Sequence, residues 1–241
     1  MADICDLHSH ILPGMDDGSE NVQESEQMLR AAYEQGIRRI CATPHYYPVE
    51  SVDAFLARRQ NSYHELTEYL SQSDASYPQI CLGAEVEYRP GLEHEEDLHK
   101  LCLGSSRYLL LEMPFVKWGK DILRGVHIVC NNRGVVPIIA HIERYLGMQS
   151  TAAVRQLLEL DVLVQMNAGY LLGMFTRRKG CGLLEADVVQ LLGSDCHNMA
   201  TRQPNMGQAI AYLQKCGLTH VLDRVASLSD QVFREAVNKG Q

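Results

Sequence analysis

Histidines and carboxylates follow one short apolar run after another along this sequence. The first run ends in His8 and His10 and the last in Asp195 and His197, so each pair stands two residues apart. On a β-strand that spacing turns both side chains to the same face, close enough to bind one ion. Imidazole and carboxylate ligands without thiolate suit Mn²⁺, Fe²⁺ or Zn²⁺. The candidate ligands are His8, His10, Asp17, His45, Glu85, Glu112, His141, Asp195 and His197.

This set of candidates is too large for one ion. Four of its members are carboxylates, which would repel one another if they were buried together. Several divalent ions that share bridging carboxylates would neutralise that charge. Spacing alone does not select Asp17, because Asp16 precedes it directly in the loop GMDDG. We therefore expect a cluster of several metal ions, with ligands from distant parts of the chain.

The elements that would position these residues alternate between short apolar runs and longer amphipathic stretches. That alternation is typical of repeated βα units. Strands are predicted over 3–8, 37–43, 79–85, 107–112, 135–140, 161–167 and 189–194. Helices are predicted over 21–35, 53–71, 119–132, 151–160, 204–216 and 229–239. Gly36 and Gly217 follow two of these helices, at the position where glycine commonly ends a helix.

The predicted strands are apolar on both faces, which indicates a parallel sheet covered by helices. Such units fit an α/β fold in the form of a distorted seven-stranded βα barrel, similar to a TIM barrel, in one domain over 1–241. An open Rossmann-type sheet is the rival, but no G-x-G-x-x-G follows the first strand. In a barrel the carboxyl ends of the strands meet on one face. The sequence therefore predicts the metal site at that face.

The composition is that of a globular protein with an acidic balance. The 30 acidic and 22 basic side chains give a net charge of −8, which argues against nucleic acid or an anionic membrane as a partner. No run reaches the roughly 18 apolar residues of a membrane helix. The start MADICD is acidic where a signal peptide would be basic, so we expect a cytoplasmic protein. The eight cysteines include no C-x-x-C pair and are expected to be free, mostly buried thiols.

A competing chemistry is present in the segment from Cys196 to Arg202. It satisfies C-x₅-R, the signature of phosphatases that use a cysteine thiolate as nucleophile. The segment lacks the glycine that would bring backbone amides around a phosphate, and Gln203 stands where that class has Ser or Thr. We therefore expect Cys196 to be a small buried side chain beside the metal ligands.

The other polar residues are given structural interpretations. The stretch EHEEDLH over 93–99 is expected to be a solvated face, with a second metal site as the alternative. The basic run Arg177-Arg178-Lys179 is expected to be a solvated loop, with guidance of an acidic peptide as the alternative. The histidines outside the strand ends are expected at the surface: His64, His94, His99, His127 and His220.

Several of the motifs together resemble one known group of enzymes. The DLHSH opening, the A-H-x-E-R and the S-D-x-H resemble the PHP (polymerase and histidinol phosphatase) superfamily of metal-dependent phosphoesterases. The longer strings are similar to the bacterial CpsB/CapC group of manganese-dependent protein-tyrosine phosphatases, which act in capsule and exopolysaccharide regulation. These strings are HSHILPGMDDG (8–18), ATPH (42–45), LEMP (111–114), AHIERY (140–145) and QMNAG (165–169). The match runs from Asp6 to about Arg202, with Ile142 where Pro is expected and Tyr170 where a small residue is usual.

The resemblance implies a site with three divalent metal ions, Mn²⁺ in the first place and Fe²⁺ or Zn²⁺ as alternatives. It also selects Asp17 over Asp16. One ion would be bound by His8, His10, Glu85 and Asp195. A second would be bound by Glu85, as a bridge, with Glu112 and His141, and a third by Asp17, His45 and His197.

The implied reaction is attack of a metal-bridging hydroxide on the phosphorus of phosphotyrosine. Arg144 and Arg202 match the family's arginines near the phosphate, a role that suits the bidentate guanidinium. The implied partner is the phosphorylated tail of a bacterial tyrosine kinase. The residues leave two alternatives open: a small-molecule phosphomonoesterase such as histidinol-phosphate phosphatase, and a metal-binding scaffold without turnover. Formation of a homo-oligomer is also left open.

Overall fold

Short strands alternate with helices along the chain. The computed structural model describes residues 4–132 and 134–238. The strands are β1 (Asp6–Ser9), β2 (Arg39–Ala42), β3 (His45–Tyr46), β4 (Gln79–Leu82), β5 (Glu85–Glu87), β6 (Tyr108–Glu112), β7 (Val136–Ile139), β8 (Leu163–Asn167) and β9 (Leu191–Gly193). The α-helices are α1 (Val22–Glu34), α2 (Val52–Leu70), α3 (Lys120–Asn132), α4 (Thr151–Leu158), α5 (Arg177–Glu185), α6 (Met206–Lys215) and α7 (Thr219–Asn238). Single 3₁₀ turns lie at Leu92–His94, Leu98–Leu101, Ile142–Arg144 and Ala168–Leu171.

Helix starts are fixed by short polar side chains. Asn21, Ser51 and Ser150 precede α1, α2 and α4, and each side chain accepts a hydrogen bond from the backbone N–H three residues later. Each bond satisfies a donor that the helix itself leaves unpaired. At the other end, Gly36 and Gly217 adopt positive φ after α1 and α6, as expected of glycines that end helices.

The strands form two parallel ladders that the chain joins. The first runs β1-β2-β4 and the second β3-β5-β6-β7-β8-β9. Only residues 43–44 separate β2 from β3, and only residues 83–84 separate β4 from β5, so the chain passes twice from one ladder directly into the other. The remaining edges meet where the Asp195 N–H donates to the His8 carbonyl at 2.8 Å and the His10 N–H to the Cys196 carbonyl at 2.9 Å. The fold is therefore an α/β fold with a curled parallel sheet.

The amino end of this sheet is closed by α7. The helix contacts β1, β4 and β9, and its Val232, Phe233 and Ala236 are buried in one apolar cluster with Leu7 and Leu110 of the strands. Because this end contains apolar side chains, its burial contributes to stability through the hydrophobic effect, about 1.5–3 kcal/mol for a fully buried side chain of this size. Within the described residues, no helix is long and apolar enough to cross a membrane.

Most of the predicted elements are confirmed, but the strand predicted over 79–85 is interrupted at residues 83–84, so that Glu85 begins a new strand. Two predictions in the second half are also wrong. The helix predicted over 229–239 begins ten residues earlier, at Thr219, directly after the turn at Gly217. The basic run 177–179 is the first turn of α5 and not a loop. Gly180 and Gly182 weaken the helical signal there, yet Gly180 lets α5 pack closely on Leu171. The predicted start of the first strand at residue 3, the predicted end of the last helix at residue 239 and the two ends of the predicted domain fall on residues that are not described.

Candidate metal centre

The nine predicted ligands converge on the carboxyl end of the curled sheet. His8 lies in β1, His45 and Glu85 begin β3 and β5, and Glu112 ends β6. The others lie just beyond the strand ends: His10 after β1, Asp17 in the loop that follows, His141 after β7, and Asp195 and His197 after β9. Parallel register brings these ends together, and His45 lies directly opposite Glu85 in the ladder.

The innermost group consists of His8, His10, Glu85 and Asp195, all of them buried. The Nε2 atoms of His8 and His10 lie 3.2 Å apart, and each lies within 3.2 Å of the same oxygen, Oε2 of Glu85. Oδ1 of Asp195 is 3.4 Å from Nε2 of His8. Two nitrogens and two carboxylate oxygens therefore surround a single point.

A second group is assembled farther out by His10, His45, His197 and Asp17. Oδ1 of Asp17 lies 3.3 Å from Nε2 of His197 and 3.6 Å from Nε2 of His45. The Asp17 side chain is 66% exposed, in contrast to the buried ring of His197. This group opens directly to solvent.

A third group shares Glu85 with the first. Nδ1 of His45 lies 3.3 Å from Oε2 of Glu85 and 4.0 Å from Oε2 of Glu112. On the other side, Nε2 of His141 lies 2.8 Å from Oε1 of Glu85 and 3.5 Å from Oε1 of Glu112. Glu85 thus lies at the centre of the cluster, with one oxygen toward each neighbouring group.

The carboxylates of the cluster raise the pKa of two of the histidines, and protons on these two rings offset only part of the negative charge. Burial disfavours the imidazolium of His10, but hydrogen bonds to Asp16 and other carboxylates outweigh it and raise the pKa of His10 well above its ordinary value. The same competition raises the pKa of His141 to about 9. Burial and the charge of His10 lower the pKa of His197 to about 4, so that ring stays neutral and keeps a lone pair.

This donor set fits divalent metal ions. In the first two groups, and for His45, Glu85 and Glu112 of the third, the ligand atoms lie within 4.8 Å of one another. His45 Nδ1 and His197 Nε2 are buried and form no hydrogen bond, although a carboxylate oxygen lies 3.3 Å from each of them. A ring nitrogen left in this way is costly unless it binds a cation. Nitrogen and oxygen donors without sulfur are the ligands of Mn²⁺, Fe²⁺ and Zn²⁺. Which of the nine residues bind metal stays a prediction.

Asp16, which spacing could not separate from Asp17, binds a predicted ligand and is not itself part of a candidate metal group. Its Oδ2 accepts from Nδ1 of His10 at 2.7 Å and from the His45 N–H at 2.7 Å. A carboxylate on Nδ1 favours one tautomer of His10 and directs its Nε2 toward Glu85 in the candidate metal group. The loop is tight at Gly18, where a Cβ would lie 2.4 Å from the His10 carbonyl oxygen.

Gln165 is a second positioning residue. It lies in the motif QMNAG, but the sequence alone did not indicate this role. Its buried Oε1 accepts from the His141 N–H at 2.8 Å and lies 3.3 Å from Nδ1 of His8. Its Nε2 donates to Asn167 Oδ1, and Asn167 Nδ2 donates to Oδ2 of Asp195 at 2.6 Å. One chain of hydrogen bonds therefore joins three predicted ligands.

Backbone strain is concentrated at the same strand ends. His141 and Asp195 have φ of 34° and 51°, in the left-handed region that favours glycine. Such conformations cost about 1–3 kcal/mol each and persist where the surroundings enforce them. The bond from the His141 N–H to Gln165 is one such restraint.

A pocket of about 470 Å³ lies beside the cluster and contains the two predicted arginines. Arg202 reaches Oδ1 of Asp195 at 2.6 Å and is 33% exposed. Arg144 is exposed, lines the same pocket and lies over the ring of Phe115. Tyr170, the departure noted in the sequence, forms part of the wall. Two guanidinium groups next to a metal centre are suited to bind phosphate oxygens.

The C-x₅-R alternative is disfavoured by the structure. Cys196 is completely buried, and burial raises the pKa of its thiol far above the ordinary value, so a thiolate is strongly disfavoured. The backbone N–H groups from Cys196 to Arg202 are all donated within the protein. No amide in this segment is left to bind a phosphate.

The remaining sequence interpretations are mostly confirmed. The five histidines expected at the surface, His64, His94, His99, His127 and His220, are all exposed. Residues 93–99 form parts of two 3₁₀ turns and contribute to none of the candidate metal groups. All eight cysteines are free; five are buried, and Cys216 is exposed.

The fold and the site together define a class: α/β proteins with a histidine and carboxylate cluster at the carboxyl end of a curled parallel sheet. Residues 4–229 match the model of the CpsB/CapC family, described as capsular polysaccharide synthesis. The chain belongs to this family, and the resemblance inferred from its motifs is confirmed.

Two curated relatives and one solved structure are similar to the chain. It is 31% identical to tyrosine-protein phosphatase YwqE of Bacillus subtilis (strain 168), over 87% of this chain and 84% of that protein. It is 30% identical to tyrosine-protein phosphatase CpsB of Streptococcus pneumoniae, over 87% of this chain and 89% of that protein. The chain is also similar to one of the solved crystal structures of the proteins YwqE from Bacillus subtilis and CpsB from Streptococcus pneumoniae, which are described as unique metal-dependent tyrosine phosphatases. The match has a TM-score of 0.83 and 28% sequence identity, and it covers 96% of this chain and 95% of the other.

Proposed function

We propose that this protein is a metal-dependent tyrosine-protein phosphatase. The observation that carries the proposal is the convergence of nine imidazole and carboxylate side chains from distant parts of the sequence next to a pocket with two arginines. Membership of the CpsB/CapC family, whose similar members are named tyrosine-protein phosphatases, supports it.

Three divalent ions, with Mn²⁺ as the first choice, are proposed as the cofactors. The ligand sets are His8, His10, Glu85 and Asp195 for one ion, Glu85, Glu112 and His141 for a second, and Asp17, His45 and His197 for a third. The distances also allow His10 to contribute to the third set and His45 to the second. When bound, such ions lower the pKa of water, which supplies a hydroxide nucleophile for phosphorus, and they neutralise charge on the phosphate.

The protein's own groups position the phosphate and the ligands. Arg144 and Arg202 bind the non-bridging phosphate oxygens from the pocket side, where both guanidinium groups are accessible to solvent. Asp16 and Gln165 hold the rings of His10 and His8 through Nδ1, which leaves Nε2 of each ring toward the cluster, and Gln165 also binds the backbone N–H of His141. The tyrosyl oxygen leaves as a phenolate of pKa about 10, so little help from a general acid is required.

Further parts of the proposal concern architecture and partners. Counting β2 with β3 and β4 with β5 as single interrupted strands gives the seven members of a distorted barrel in one domain. The proposed substrate is the phosphorylated tail of a bacterial tyrosine kinase that controls capsular or exopolysaccharide synthesis, and the proposed location is the cytoplasm. The family description, capsular polysaccharide synthesis, supports this substrate.

The test is hydrolysis of a phosphotyrosyl peptide by metal-stripped protein, with Mn²⁺ restored or withheld, for the native sequence and for Cys196→Ser. Activity that returns with Mn²⁺ and persists in Cys196→Ser is the expected result. Activity that is indifferent to metal and lost in Cys196→Ser would refute the proposal and favour thiolate chemistry. Faster hydrolysis of histidinol phosphate than of the peptide would favour the small-molecule alternative, and absence of turnover with a full complement of metal would favour a scaffold.

A further inference from the structure

A tip at residues 174–179 combines exposed apolar and basic side chains. Met174 and Phe175 are 74% and 94% exposed, the latter the most exposed large apolar side chain in the described residues. They are followed by Arg177, Arg178 and Lys179, which are also exposed. We name this segment the basic tip.

The basic tip is ordered by its own hydrogen bonds, although its composition is unfavourable for stability. The N–H groups of Thr176 and Arg177 both donate to the Gly173 carbonyl, and Thr176 Oγ1 donates to the Tyr170 carbonyl at 2.6 Å. The three cations lie in the first turn of α5, where the helix dipole repels positive charge. Arg178 and Lys179 form no ion pair with the described residues that would offset this cost. Folding alone therefore does not explain the sequence of this segment.

The tip adjoins the pocket of the candidate centre. Thr176, in the middle of the tip, lines the same pocket as Arg144, Arg202 and Asp195. Tyr170, to which Thr176 is hydrogen-bonded, forms another part of the wall. A molecule that placed its phosphate between the arginines could extend directly onto the tip.

We propose that the basic tip is a docking surface for an acidic peptide segment with an apolar residue, next to the phosphotyrosine in the same substrate chain. This inference rests on the proposed function. Arg177, Arg178 and Lys179 attract the acidic side chains, and Met174 and Phe175 pack against the apolar one. The surface selects among phosphotyrosyl sites, whereas the metal centre acts on the phosphate that all of them share.

A peptide explains the tip better than an anionic membrane does. The whole chain carries a net charge of −8, so a flat anionic surface would repel most of the protein while attracting three residues. A short peptide contacts the tip alone and avoids that repulsion. The tip also adjoins the pocket, so its partner should reach the site of phosphate binding. A peptide can enter the pocket, whereas a bilayer surface cannot.

The experiment compares two phosphotyrosyl peptides of equal length. One carries three glutamates and a leucine beside the phosphotyrosine, and the other carries glutamines and serine in their places. We expect the native protein to have a higher kcat/KM for the acidic peptide. Replacement of Arg177, Arg178 and Lys179 by Ser should lower the ratio of kcat/KM for the acidic peptide to kcat/KM for the neutral one about tenfold, as expected for three exposed charge pairs. Phe175→Ser should lower this ratio less.

The matched control is Arg124→Ser/Arg155→Ser/Lys215→Ser, which removes the same charge from exposed positions on α3, α4 and α6. It should keep the preference, and all variants should hydrolyse free phosphotyrosine at the native rate. An equal loss in control and tip variants, or no preference in the native protein, would overturn the proposal. A second outcome would also overturn it: the native protein shows no peptide preference but sediments with phosphatidylserine vesicles, whereas the tip variant does not sediment with them.

Binding of a non-hydrolysable phosphonate analogue of the acidic peptide separates this proposal from the proposed function. Tighter binding of that analogue by the native protein than by the tip variant supports docking even if no protein turns over phosphotyrosine. Equal binding, together with normal hydrolysis of free phosphotyrosine, would overturn docking alone.

Discussion

The two ends of the curled sheet differ in chemistry although the same strands build both. At the amino end, α7 closes the sheet with apolar side chains such as Phe233, packed against strand residues such as Leu7. At the carboxyl end the same strands present imidazoles and carboxylates, with strained backbone at His141 and Asp195. The first end gains free energy on folding, and the second costs free energy unless cations bind to it. Stability and the proposed function are thus assigned to opposite ends.

The largest effect should come from Glu85→Gln at the carboxyl end. Glu85 contacts His8, His10, His45 and His141, so its charge serves more than one metal group. We expect kcat/KM for a phosphotyrosyl peptide to fall by at least about 10³-fold, since metal ions supply several kcal/mol of transition-state stabilisation. Elemental analysis should show fewer bound ions per chain.

The control is Glu65→Gln on the exposed face of α2, which makes the same chemical change far from the sheet ends. It should bind the native number of ions and keep native activity. Full metal content and activity in Glu85→Gln would show that the carboxyl end is not organised around this carboxylate.

Phe233→Ala should have the largest effect at the amino end, on stability alone. The ring is 1% exposed in the apolar cluster, and removal of such a ring lowers the free energy of unfolding by about 3–5 kcal/mol. Urea unfolding measures this change, and Phe175→Ala at the exposed tip should alter it by less than about 0.5 kcal/mol. Below the unfolding transition, metal content should equal that of the native protein. A loss of metal affinity in the folded variant would mean that the two ends are coupled.

Asp16→Asn should have a smaller effect, confined to metal affinity. The carboxylate orients His10 without belonging to a candidate metal group, and loss of such an outer partner typically costs about 10–100-fold in affinity. Competition of Mn²⁺ with a chelator measures the change, with Asp74→Asn in an exposed loop as the control. Native affinity in Asp16→Asn would contradict the positioning role.

The sequence predicted the carboxyl end better than the connections around it. Strand ends are readable because apolar runs stop at a polar residue, and parallel register then brings distant ends together, as His45 opposite Glu85 illustrates. Asp16 could not be separated from Asp17, because adjacent residues in a loop differ only in where the turn directs them. Gln165 gave no signal of its own, since an amide in a buried strand acquires a role only through tertiary partners.

The amino end was predicted less well, for a different reason. The start of α7 at Thr219 follows a glycine turn so closely that the periodic pattern does not mark a new element. Closure of the sheet by Phe233 is a tertiary contact with strands from β1 to β9, which local pattern does not encode. The start of α5 was missed because its two glycines oppose helix formation, and packing outweighs that local preference.

The most direct test of the account is a crystal structure of the protein grown with Mn²⁺, with anomalous scattering used to locate the ions. The account predicts three peaks at the carboxyl end of the sheet, one in each of the proposed ligand sets around Glu85, Asp17 and Glu112. It predicts none at the amino end beneath α7. Peaks elsewhere on the protein, or a cluster that stays free of metal at saturating Mn²⁺, would contradict it.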